Sequence, residues 1–114
     1  MNNAIGIGTD IVEIRRIADA IERSEKFVTK IFSDVEIDYF KTKKNSPQTI
    51  AGCFCAKEAV IKAVGTGFGD ITIHHEPNGR PYAMVESMPD VTVMLSISHC
   101  KEYATATAYA MRNA

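Results

Sequence analysis

The chain has 114 residues, 46% of them hydrophobic and 24% charged, with a net charge of −1. That is the size and balance of one soluble globular domain with a modest core. The near-neutral charge offers no bulk field for nucleic acid, and no apolar run is long enough for a membrane-spanning helix, so neither nucleic acid nor membrane is expected as a partner.

Ile5, Ile7, Thr9 and Ile11 alternate with Gly6, Gly8, Asp10 and Val12, which predicts a strand over 4–12. One of its faces carries apolar and β-branched bulk; the other carries two glycines and an acid. A helix over about 13–30 follows, because Ile14, Ile17, Ile21, Val28 and Phe32 fall on one side at helical spacing. Ser33 and Glu36 form a capping-box pattern for a short helix that gives way to the polar run KTKKNS. Ser46-Pro47 starts the next helix, which continues to about 64 and stops at Gly65-Thr66-Gly67. DITIHHE and RPYAMVE read as strands around the turn Pro77-Asn78-Gly79. VTVMLSIS is a strand, and YATATAYAM also alternates, joined to it through the tight segment His99 to Glu102. Ala104, Ala106, Ala108 and Ala110 would line one face, a narrow stripe suited to close packing of a helix or a neighbouring subunit. The expected fold is α+β, an antiparallel sheet with helices on one side, in a single domain over 1–114.

The helix AGCFCAKEAVIKAVGTG carries Glu58 and Lys62 four apart, on one face with the small residues Ala51 and Cys55. A solvated ion pair accounts for the two charges; so does a site where small neighbours leave room for a ligand. Cys53 and Cys55 point in different directions on this helix, and no second Cys/His pair stands at ligand spacing, so they predict no metal site. With Cys100 they make three cysteines, and the N-terminal residues lack the basic and apolar regions of a secretory leader. A reduced, cytoplasmic protein is expected.

Asp10 reads either as a cap at the end of its strand or as a ligand. Together with Glu58 it would offer two oxygen donors from separate elements, the way Mg²⁺ is commonly held beside a phosphate. Lys62 would add a cation. Gly65-Thr66-Gly67 is a helix stop that also permits close approach of a phosphate group. His99 stands at a turn, while the adjacent His74 and His75 face opposite ways and are read as non-ligands. On the first helix Arg16, Arg23, Phe27 and Lys30 lie within about 60° of one another, clear of the core stripe. A basic stripe around an aromatic suits an acidic protein helix.

These pieces resemble the holo-[acyl-carrier-protein] synthase family, the small phosphopantetheinyl transferases. GIGTDIVEIRRI (6–17) and AGCFCAKEAVIKAVGTG (51–67) are similar to the family's two signatures, and NGRPY and SISHCKEYATATA to its C-terminal hairpin region. The resemblance implies transfer of 4′-phosphopantetheine from coenzyme A to a serine of apo acyl carrier protein, with release of adenosine 3′,5′-bisphosphate, as in fatty acid biosynthesis. A non-catalytic carrier-protein binding module of the same fold is the alternative. The resemblance makes Asp10 and Glu58 ligands of Mg²⁺ and sets Lys62 on the pyrophosphate. Glu58 takes the serine proton directly or through a metal-bound water. Gly65, Thr66 and Gly67 border the cofactor, His99 lies near the 3′-phosphate, and Gly79, Arg80 and Pro81 lie on the adenine side. Arg16, Arg23 and Phe27 meet the carrier protein. A homotrimer with active sites between subunits is implied too. Two departures stand out. Cys53 occupies a position that is often arginine in the family, where Lys43 or Lys44 could substitute, and the segment after Gly67 is short.

Overall fold

The computed structural model describes residues 3–114. Five strands form one antiparallel sheet in the order β1-β5-β4-β3-β2: β1 (Ala4–Glu13), β2 (Ile71–His75), β3 (Pro81–Val85), β4 (Val91–His99) and β5 (Tyr103–Arg112). The helices are α1 (Ile14–Arg23), α2 (Lys26–Ile31), α3 (Asp34–Thr42) and α4 (Pro47–Val64). A 3₁₀ turn over Phe68–Asp70 leads into β2. The chain is therefore α+β, as its patterning predicts.

The helix expected over 13–30 is two helices. Ser24 is extended, its N–H bonds to the Ala20 carbonyl, and its own carbonyl accepts from Phe27 N–H. Serine favours caps and turns over helix interiors because its hydroxyl competes for backbone partners, a weak propensity that apolar periodicity alone does not register. The remaining boundaries follow the local signals. Ser33 and Glu36 close a full capping box on α3. Ser46 caps α4 with Pro47 behind it, and α4 ends on Gly65 at φ 78°, a left-handed position that suits glycine.

The sheet's inner face is built for a close helix. Register pairs Gly6 with Ala110, Gly8 with Ala108 and Asp10 with Ala106. Ala104, Ala106, Ala108 and Ala110 are all buried, and α4 lies on them with Ala51, Cys55, Ala56, Ala59, Val60 and Ala63. The alanine stripe thus seats a helix of its own chain. A Cβ at Gly8 would come within 1.9 Å of the Ala59 carbonyl oxygen, and one at Gly6 within 2.2 Å of that of Ala63. The two glycines are there because the backbone of α4 passes directly over β1.

A buried ion pair fixes the other side of α4. Lys57 Nζ donates to Glu36 Oε1 at 2.7 Å, with both side chains almost fully enclosed. Glu36 also accepts from Ser33 N–H at 2.9 Å and Ile73 N–H at 2.7 Å. One carboxylate therefore joins α3, α4 and β2. Among the described residues no helix covers the outer face of the sheet. It leaves Ile7, Ile11, Tyr82, Met84, Met94, Tyr103 and Tyr109 exposed.

Candidate active site

Asp10 sits on the inner face of β1, two residues beyond Gly8, where α4 passes closest. It does not cap α1, whose first residue is Ile14. It accepts from Lys62 Nζ at 3.2 Å, and the same ammonium donates to the Thr9 carbonyl at 2.9 Å. Lys62 thus reaches across to β1, and the salt bridge it makes is with Asp10, not with its helical neighbour Glu58. Glu58 lies one turn back along α4. Burial, then the nearby Asp10, pushes its carboxyl above the usual range, while Lys62 pulls the other way. The two acids therefore converge from separate elements.

They share a groove of about 480 Å³ with Val12, Arg16, Arg23, Phe27 and Phe54. The basic face of the first helical segment survives the break at Ser24, because Arg16 and Arg23 on α1 and Phe27 on α2 still line one surface; Lys30 is not part of that lining. The small neighbours expected to open space beside Glu58 do not do so. Ala51 and Cys55 are fully buried against the sheet, with Cys55 Sγ 3.3 Å from the Ala104 carbonyl. Burial, Asp10 and Glu58 push that thiol up to about 12, so it stays protonated near neutrality and is no thiolate. The groove's wall is aromatic instead. Phe54 stacks on Phe27 at 6.5 Å and meets Phe68 at 5.9 Å. Phe54 could have been found from its i,i+4 spacing to Glu58; Phe68 comes from a loop with no periodic signal.

Among the described residues no cluster of three or more His, Cys, Asp or Glu side chains is arranged to hold a metal ion. Two convergent carboxylates fit Mg²⁺ nonetheless. That ion is usually held by one or two carboxylates, with waters and substrate phosphates completing the octahedron.

A second cavity, of about 190 Å³, opens beside the N-terminal half of α4. It gathers Cys53, Gly79, Pro81 and His99 with Tyr39, Gln48, Thr49, Gly52, His75 and Ile97. Arg80 is not in this lining; its backbone N–H is tied to Asn78 Oδ1 in the turn. His74 and His75 do face opposite ways. His75 stacks on Tyr39 at 3.6 Å, and His74 packs on Tyr82 at 5.2 Å. The Tyr39–His75 platform has no signal in the sequence because it joins two elements far apart in the chain. Among the described residues no arginine or lysine lines this cavity, but Lys43 lies over the Tyr39 ring at 5.8 Å. Gly65, Thr66 and Gly67 follow the last turn of α4, the turn that carries Lys62.

The chain is similar to several known proteins. The sequence profile of the 4′-phosphopantetheinyl transferase superfamily matches residues 6–108. The chain is 46% identical to the holo-[acyl-carrier-protein] synthase of Clostridium acetobutylicum, over 90% of this chain and 94% of that one. It is similar to the crystal structure of a holo-(acyl-carrier-protein) synthase from Bacillus anthracis in complex with coenzyme A (3′,5′-ADP), with TM-score 0.82 and 35% identity over 96% and 98% of the two chains. The holo-[acyl-carrier-protein] synthase of Helicobacter pylori in complex with coenzyme A is similar at TM-score 0.79 and 32% identity, covering 90% and 96%. With the acid pair, the lysine and the arginine- and phenylalanine-lined groove in place on that fold, this chain belongs to the 4′-phosphopantetheinyl transferase superfamily.

Proposed function

We propose that this chain is a holo-[acyl-carrier-protein] synthase that moves 4′-phosphopantetheine from coenzyme A to a serine of apo acyl carrier protein. The observation that carries the reading is the single groove in which Asp10 and Glu58 meet beside Arg16, Arg23 and Phe27. It joins a phosphate-handling site to a docking face of arginine and aromatic side chains, with Asp19 among them. In the reaction the serine oxygen bonds to the β-phosphorus of coenzyme A, and adenosine 3′,5′-bisphosphate departs with the electrons of the broken P–O bond. The serine proton passes to Glu58, directly or through water. Such transfers need positioning and charge neutralisation more than covalent help.

Asp10 and Glu58 hold Mg²⁺, which when bound would neutralise the pyrophosphate and polarise phosphorus. Lys62 exchanges its Asp10 contact for a pyrophosphate oxygen. Gly65, Thr66 and Gly67 border the phosphate end. The His99 cavity, with Gly79, Pro81 and the adjoining Arg80, takes the nucleotide end, and Lys43 supplies the charge that Cys53 lacks. Arg16, Arg23 and Phe27 receive the acidic carrier protein.

A homotrimer with sites between subunits is part of this reading. The apolar outer face of the sheet supports it, since so many exposed large side chains on one face mark an association surface. The His99 cavity and the acid groove also open along different stretches of α4, as expected if neighbouring copies complete each other's sites. We place the protein in the cytoplasm, serving fatty acid biosynthesis, a reading supported by its three unpaired cysteines. Among the described residues no helix is long and apolar enough to cross a membrane. The non-catalytic alternative is not favoured, because the acids and Lys62 are intact.

The test is incubation with coenzyme A, Mg²⁺ and apo acyl carrier protein, followed by mass spectrometry of the carrier. A phosphopantetheine-sized gain that disappears with EDTA is expected. No gain on a carrier that a known synthase does modify would leave only the binding-module reading.

A further inference from the structure

The link from α4 to β2, residues 65–70, is short and carries no hydrophobic periodicity to fix it. One side chain fixes it instead. Asp70 Oδ2 accepts from the Thr66 hydroxyl at 2.7 Å and from the Ser87 hydroxyl, while Oδ1 accepts from Ser87 N–H at 2.8 Å. The Asp70 carbonyl accepts from Glu86 N–H at 2.8 Å, and the Asp70 N–H bonds to the Gly67 carbonyl at 3.1 Å. The carboxylate therefore closes the loop on itself and straps it to the turn between β3 and β4.

Two consequences reach the site. The Thr66 proton is committed to Asp70, so in this arrangement the Thr66 hydroxyl cannot donate to a phosphate, and its side chain acts as a strut. Phe68, held between Thr66 and Asp70, is in ring contact with Phe54, which lines the groove containing Asp10 and Glu58. The Ser87 and Thr66 hydroxyls also hold the Asp70 carboxyl below the usual carboxylate range, which keeps it ionised and a strong acceptor.

We propose that Asp70 is a positioning residue for the transfer reaction, setting the Gly65–Gly67 turn and Phe68 and, through them, the grip on the phosphate end of coenzyme A. The proposal rests on the transferase reading above. It assigns Asp70 no contact with substrate.

The experiment uses the full chain with coenzyme A, Mg²⁺ and apo acyl carrier protein, and compares wild type with Asp70→Ala, Asp70→Asn and Ser87→Ala. Asp70→Ala is expected to raise KM for coenzyme A roughly tenfold, with kcat and the carrier-protein KM within about twofold of wild type. Asp70→Asn should restore most of the loss, because its amide oxygen still accepts from Ser87 N–H and its NH₂ can donate to the two hydroxyl oxygens. Ser87→Ala, on an exposed turn, should raise the same KM by about two- to threefold. A wild-type coenzyme A KM in Asp70→Ala overturns the proposal. So does a parallel loss of kcat, both KM values and Tm that Asn does not rescue, since that is a merely structural role. If Asp70→Ala does not fold, an unchanged coenzyme A KM in Ser87→Ala overturns it as well. Wild-type protein that fails to modify the carrier sinks the transferase reading itself, a separate result.

Discussion

Gly8→Ala tests whether the close approach of α4 to β1 builds the site. The added Cβ would lie 1.9 Å from the Ala59 carbonyl oxygen and 2.9 Å from Lys62 Cβ. The first of these is backbone and cannot rotate away. Ordinary carbon contacts begin near 3.5 Å, so α4 must retreat from β1 by about 1.5 Å. The Lys62–Asp10 bond of 3.2 Å and the Lys62–Thr9 bond of 2.9 Å then stretch past hydrogen-bond range, and Glu58 moves away from Asp10. The seam of alanines under α4 loses its packing as well. Overpacking of this kind costs about 1–3 kcal/mol. For a chain of this size that is a fall in Tm of roughly 4–12 °C. A misplacement of about 1 Å in a catalytic array can lower the rate by on the order of 10²-fold. Differential scanning fluorimetry at equal protein concentrations and the carrier-protein transfer assay read the two effects. Gly52→Ala is the control for stability, since its Cβ meets only the movable Ile97 Cγ2 at 3.1 Å. A Gly8→Ala protein with wild-type Tm and wild-type rate would refute the claim that this contact sets the site.

Glu58→Gln is expected to abolish transfer while Tm holds or rises, because burial and Asp10 disfavour the Glu58 charge in the folded chain; wild-type turnover in that variant removes Glu58 from the mechanism. Arg16→Glu should raise the carrier-protein KM at least tenfold while leaving coenzyme A affinity within about twofold, and an equal carrier-protein KM in both proteins sinks the docking face. Burial, with Lys43 and His74 nearby, holds the His75 imidazole below its ordinary 6.5. The unfolded chain then takes up that proton first, so this stability is present above pH 6.5 and is lost as pH falls toward the folded-state value. His75→Phe keeps a ring on Tyr39 and should flatten the dependence of Tm on pH between about 7 and 5, and unchanged slopes in the two proteins exclude His75 as its source.

What could be read from the sequence was local. Glycine, proline and capping side chains mark the ends of α3 and α4 because each acts on its own backbone, and period-two alternation marks the strands because the pleat imposes it. Asp10, Glu58 and Lys62 stood out as charges in apolar or small-residue settings. The pairing of Lys62 with Asp10 instead of Glu58 was not legible, because the distance between β1 and α4 depends on two glycines and an alanine stripe supplied by three separate segments. Phe68 and Asp70 were hidden for a related reason. Phe54 lies on α4, Ser87 in the turn after β3 and Thr66 in the same link, and a loop has no period to betray its contacts. The sequence hides the break at Ser24, because the apolar stripe continues across it and outweighs one weakly helix-disfavouring residue.

The Glu36–Lys57 pair explains why Glu58 faces the groove at all. Consecutive residues on a helix point about 100° apart, so the direction of Lys57 dictates that of Glu58. An α4 packed only by Ala51, Ala56, Ala59 and Ala63 on a sheet of alanines and glycines would have a smooth seat, with little to resist rotation about its axis. Lys57 removes that freedom. Its ammonium is enclosed, and withdrawing it from Glu36 strands two buried charges, at about 3–5 kcal/mol for a broken pair. Glu36 cannot follow a rotating helix, because Ser33 and Ile73 hold the same carboxylate through backbone N–H groups. The small residues set how closely α4 approaches Asp10, and the buried pair sets which side of α4 is presented to it. Acid convergence needs both conditions, and residues outside the groove supply both.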